Sequence, residues 1–194
     1  MNLPNRVKNI VMTPATEWPA IAAEPGDVTS IYVNYVLILA AIPAICLFIG
    51  VGLITAPFVG GLGIGAGLTG AVFHYVSAIV GVFVAAFVIQ QLAPTFASQG
   101  DLVQAVKLVA YSYTPIWLAG VLYLIVFLSP LVLIAILYAI YLFYLGLPVL
   151  MKTPTDKVIP YMLVSALVII VVQVVLTFLL GAMSVAPLGY NRMF

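Results

Sequence analysis

The side chains able to do chemistry in this sequence are few and far apart. Among 194 residues there is one histidine, His74, one cysteine, Cys46, and five carboxylates. His74 would serve as a base, a proton relay or a metal ligand. A metal there needs further His or Cys donors, or acids close by. Glu17, Glu24, Asp27, Asp101 and Asp156 instead fall at the edges of the apolar runs, and the topology derived below puts them on the face opposite His74. A Ser-His-Asp arrangement fails for the same reason. The scattered single charges also lack the clustered acids with Arg or Lys that phosphoryl or glycosyl transfer requires. A single cysteine permits no intrachain disulfide. Gly65-Ala-Gly67-Leu-Thr-Gly70 carries the letters of a dinucleotide loop, but it follows no strand of a βαβ unit. It reads better as a flexible or closely packed turn within a glycine tract over residues 60–70. The residues therefore predict a non-enzymatic protein with no metal and no cofactor.

What must position these groups is a membrane bundle. Apolar residues make up 65% of the chain and charged ones 6%, against about a quarter in soluble domains. That balance excludes a soluble enzyme, a disordered tail and a nucleic-acid binder. No Asp, Glu, Lys or Arg occurs over residues 28–100, 108–151 or 158–191. A helix crosses a ~30 Å hydrocarbon core with about 20 residues. Breakers at Pro57, the glycine tract and Ser129-Pro130 divide the runs into five spans, near 31–55, 71–92, 108–128, 131–150 and 158–182. Continuously apolar stretches such as residues 163–172 favour helices over the alternating strands of a barrel. The fold class is all-α and polytopic: a preamble over residues 1–30 and a membrane domain over 31–194.

Arg6, Lys8, Lys107, Lys152 and Lys157 then share one side and Arg192 the other. The positive-inside rule places the N-terminus in the cytoplasm, the C-terminus outside and the chain in the cytoplasmic (inner) membrane. The preamble, interrupted by Pro14 and Pro19, is expected to form two short interfacial pieces, with Thr16 capping the second and Trp18 at headgroup depth. Asp27 is placed to cap the first span and Asp101 the third, with Gln104 giving the reciprocal contact. Pro115 should kink the third span, with Ser112 near enough to relieve the orphaned carbonyl.

Polar handles for a partner gather on the cytoplasmic side. Glu17, Trp18 and Glu24 of the preamble would meet Lys107 and Tyr111 at the start of the third span, together with the turn Lys152, Asp156 and Lys157. The partners expected are membrane lipids and a cytoplasmic or membrane protein, with no nucleic acid; a homo-oligomer is compatible. The alternative is a small transporter or channel. It would use Tyr138, Tyr141 and Tyr144, which recur every third residue and mark a buried face or a pore lining, together with Gln173 in the fifth span.

The segment Ala110-Tyr-Ser-Tyr-Thr-Pro115 is similar to the Tyr-Gly-Tyr-Ser-x-x-Pro motif that opens the third span of the Yip family, matching at Tyr111, Ser112 and Pro115. A preamble with Pro14, Trp18, Ile21 and Glu24 fits the same pattern. So does Tyr144-Leu-Gly-Leu-Pro148 ahead of Lys152-Thr-Pro-Thr-Asp-Lys157. The chain thus resembles the Yip family, and most of all its small bacterial members, over nearly its whole length. Eukaryotic members carry Asp-Leu-Tyr-Gly-Pro before the first span, where this chain reads Gly26-Asp-Val-Thr-Ser-Ile-Tyr32. The resemblance implies the five-span fold and an interaction or membrane-organising role, without the Rab-binding motif.

Overall fold

The computed structural model describes residues 2–55 and 63–185, with side chains through residue 172 and at Val174. Two short helices come first, α1 (Leu3–Met12) and α2 (Pro14–Ala23), each with a proline in its opening turn. Proline is tolerated there because its missing N–H would be unpaired anyway, but it cannot continue a preceding helix. The chain therefore breaks at Thr13 and folds back as a helical hairpin. Thr16, expected to cap α2, lies within its first turn and donates to the Thr13 carbonyl at 3.0 Å.

Five helices long and apolar enough to cross a membrane follow: Val28–Thr55, Ile64–Phe96, Leu102–Leu124, Val126–Leu150 and Thr155–Val172. Among the described residues there is no strand. The five spans agree with the sequence reading, while their limits differ. The second begins at Ile64, so residues 64–70 of the glycine tract are helical rather than a turn. The reason is a close crossing: a Cβ on Gly67 would lie 2.5 Å from the Gly52 Cα of the first span. Glycine here lets two backbones touch, which offsets its poor helix propensity.

Asp27 caps the first span, accepting from the Ser30 N–H at 2.7 Å. Asp101 caps the third, accepting from Val103 and Gln104 N–H at 2.8 and 3.2 Å. The reciprocal contact expected of Gln104 is not made; its buried side-chain oxygen has no partner among the described residues. Inside the third span Pro115 removes the N–H that the Tyr111 carbonyl would accept four residues back. Thr114, not Ser112, repairs the loss, donating to that carbonyl at 2.7 Å. A β-hydroxyl reaches the carbonyl three or four residues before it, which puts Tyr111 within range of Thr114 but not of Ser112.

The third span is the most enclosed of the five. Every residue from 105 to 112 is buried, with the second and fourth spans packed on either side. The hairpin packs on the fourth span. The preamble forms the two short pieces expected, and the second of them is seated on protein. Trp18 is 1% exposed and is packed against protein rather than lipid.

Candidate functional site

Arg6 and Ile10 lie four residues apart on α1, so they face the same way, and both are buried. A cation in that place needs partners, because an unpaired buried charge loses its hydration with nothing in return. The guanidinium donates through Nη1 to the Glu17 carboxylate and through Nη2 to Glu24. One arginine on α1 thereby ties both ends of α2. Its Cζ lies 5.7 Å from the centre of the Tyr111 ring, close enough for cation–π attraction.

The bundle reaches up to both helices of the hairpin. The last carbonyls of any helix are left without intrahelical donors and carry its negative dipole end. Lys107, 3% exposed, donates to the carbonyls of Ile21 and Glu24 at 3.0 and 2.6 Å, capping α2 with a positive charge. Tyr138 of the fourth span donates its hydroxyl to Val11 at 2.6 Å, capping α1 in the same manner. The charges balance, with Arg6 and Lys107 against Glu17 and Glu24.

Aromatic packing seals the joint. The Trp18 indole meets Tyr111 edge-on at 6.5 Å. A Cβ on Gly146 would stand 2.8 Å from that indole and 2.7 Å from Leu108, so only glycine lets the fourth span lie this close. Tyr35 packs on the other side of Tyr111 at 4.6 Å. Its hydroxyl lies 2.6 Å from Thr114. Thr114 already donates to the Tyr111 carbonyl, so Tyr35 is the donor here. This arrangement is suited to holding two elements together, and among the described residues no group of His, Cys, Asp and Glu is placed to hold a metal.

Glu17, Trp18, Glu24, Lys107 and Tyr111 are therefore brought to one place, as the sequence suggested, but Trp18 and Lys107 face the chain's own helices. Lys152, Asp156 and Lys157 are not part of the cluster. Their turn packs against the loop between the second and third spans, through Gln99 N–H to the Met151 carbonyl at 2.7 Å and Ser98 to Thr153 at 2.8 Å. Lys152 and Asp156 remain exposed.

The tyrosine face of the fourth span is corrected in part. Tyr138 is engaged, whereas Tyr141 and Tyr144 are 48% and 44% exposed on the outer surface. A three-residue step falls about 60° short of a full turn, so three such residues fan around the helix instead of sharing a face. The side chain of Gln173 lies outside the described residues. His74 meets Tyr123 edge-on at 5.8 Å and lines a cavity of about 360 Å³ with Trp117 and Ser77.

Sequence reasoning missed Arg6, Gly146, Thr114 and Tyr35 as members of the site. Arg6 had a readable signal, since it lies in register with Ile10 on an otherwise apolar stripe. Gly146, inside an apolar run, had none.

A helical bundle of five spans, with an amphipathic N-terminal hairpin locked onto it, defines a multi-pass membrane protein. The pattern of the Yip1 domain matches residues 8–177, and the chain belongs to that family. It is 36% identical over 142 residues to the inner membrane protein YohC of Escherichia coli K12, covering 70% of this chain and 73% of the relative. The protein of the same name from E. coli O6:H1 matches equally. No solved structure matches. The chain is accordingly a multi-pass protein of the inner membrane, with its exposed apolar side chains against lipid.

Proposed function

We propose that the protein is a non-enzymatic interaction platform that organises partners at the cytoplasmic face of the membrane. The observation that carries this reading is the docked hairpin: two helices' worth of polar groups are held at one end of the bundle by Arg6, Lys107 and Tyr138. The exposed charges Lys8, Lys152 and Asp156 belong to segments at that same end. The positive-inside bias assigns this end to the cytoplasm, with the C-terminus outside. A partner would meet the outer surface of the hairpin and the 152–157 turn, while the Trp18 side stays closed. Tyr141 and Tyr144, two of the four residues on which a transport reading rests, line neither cavity described for the bundle.

The test is a photoreactive residue placed at position 152 or 156 of the full chain in native membranes. A discrete protein adduct there, and lipid adducts alone from position 141, is the expected outcome. Solute flux through proteoliposomes that Gln173→Leu abolishes, with no protein adduct at 152 or 156, would establish a transporter instead. Labelling of a cysteine at position 155 from outside the cell would reverse the topology.

A further inference from the structure

A second cavity, of about 390 Å³, opens between the second, third, fourth and fifth spans. Its size falls in the range of about 300–1,000 Å³ typical of ligand pockets. The walls are apolar but for Tyr113 and two serines, Ser112 and Ser165, each serine 1% exposed. Neither serine has a hydrogen-bond partner among the described residues. Serines in membrane helices ordinarily bond to a neighbouring helix or to the carbonyl one turn back, since a bare hydroxyl in hydrocarbon is costly. Two such groups, from two different spans that line one cleft, are left for an acceptor that comes from outside the chain.

The surroundings narrow what that acceptor is. The mouth of the cleft includes Ile140, Leu163 and Ile170, which are 51%, 67% and 60% exposed on the bundle's apolar surface, so it is entered sideways from the bilayer. Depth follows from the charged residues. Ser112 is five residues beyond Lys107, about 8 Å along the helix, and Ser165 is eight beyond Lys157, about 12 Å. Lys107, bonded to the last carbonyls of α2 beside Glu24, and the 152–157 turn belong at headgroup level. Both hydroxyls therefore lie just inside it, at the depth of the glycerol-ester carbonyls and the first methylenes of the cytoplasmic leaflet. We propose that the cleft is a binding site for a diacyl glycerophospholipid. One acyl chain fills the apolar groove, and its ester carbonyl accepts from Ser112 and Ser165.

The experiment uses the full-length protein in phosphatidylethanolamine/phosphatidylglycerol vesicles, with a trace of phosphatidylglycerol bearing a diazirine on the upper part of one chain. Adducts are mapped by mass spectrometry, and labelling of the cleft is ratioed to labelling at Phe83 and Phe87, exposed residues of the second span that report bulk lipid. The internal ratio makes the readout independent of yield. The cleft should be enriched with the ester-linked probe. A dialkyl ether analogue, which has no carbonyl, should lower the ratio about threefold to tenfold, the worth of a hydrogen bond. In Ser112→Ala/Ser165→Ala the ester and ether probes should become equal, and Ala166→Phe should close the groove to both. Equal labelling by ester and ether probes in the unaltered protein would overturn the proposal, as would uniform labelling of cleft and bulk positions. Displacement of the ester probe by an isoprenoid quinone, but not by unlabelled phospholipid, would overturn it in favour of a different lipid.

Discussion

The third and fourth spans each carry three tyrosines, and the two sets have opposite surroundings. In the third, Tyr111 is almost wholly buried beneath Trp18 and Arg6, Tyr113 helps wall both cavities and Tyr123 packs against His74. In the fourth, two of the three lie on the outer surface and the remaining one ties down the hairpin. Hydropathy does not separate these cases, because lipid and protein interior are equally apolar. What separates them is company. The third span is crossed by an arginine, a lysine and two hydroxyl-bearing residues, and such groups turn inward since lipid offers them no partner.

Substitutions can break or sharpen that contrast. The largest loss should come from Glu17→Ala, which leaves Arg6 buried with half its compensation. Removing one partner from a buried pair costs about 3–5 kcal/mol, to be read by SDS-induced unfolding in mixed micelles. Glu24→Ala should cost about 1 kcal/mol or less through its carboxylate, because that side chain is 46% exposed and solvent screens it. Equal losses at the two glutamates would show that the pair is not buried as described. Gly146→Ala comes next, at about 1–3 kcal/mol for overpacking against the indole, and combination with Trp18→Phe should recover part of it.

Thr114→Ala should cost about 1–2 kcal/mol by removing the hydroxyl that both the Tyr111 carbonyl and the Tyr35 hydroxyl engage, while Thr114→Ser should restore most of the stability. Within the fourth span, Tyr138→Phe should cost about 1 kcal/mol in the same assay. Tyr141→Phe and Tyr144→Phe should stay within about 0.5 kcal/mol. If the three tyrosine variants behave alike, the difference between the two spans is wrong.

The spans were legible because charge gaps, prolines and the required helix length each constrain them independently. The hairpin was half legible: Pro14 announces its break, and Glu17, Trp18 and Glu24 were rightly grouped with Lys107 and Tyr111. Its docking was not legible, since an amphipathic helix seated on lipid and one seated on protein share the same pattern. Arg6 in step with Ile10 was the residue that distinguished them. The second span's early start went unread because glycine is a turn former in water but a packing residue between membrane helices, as Gly67 against Gly52 shows. Thr114 was overlooked in favour of Ser112, although counting back from Pro115 identifies the carbonyl that needs repair.

The bonds of the hairpin also imply an order of assembly during synthesis. Arg6 finds Glu17 and Glu24 only 11 and 18 residues downstream, so that neutralisation is available before any span has been made. Lys107 reaches the hairpin across 83 and 86 residues, and Tyr138 across 127. The N-terminus must therefore wait at the membrane surface, its arginine already paired and one carboxylate charge still uncompensated, while the ribosome delivers the third and fourth spans. Its closure onto them is the last event that the first-made residues complete.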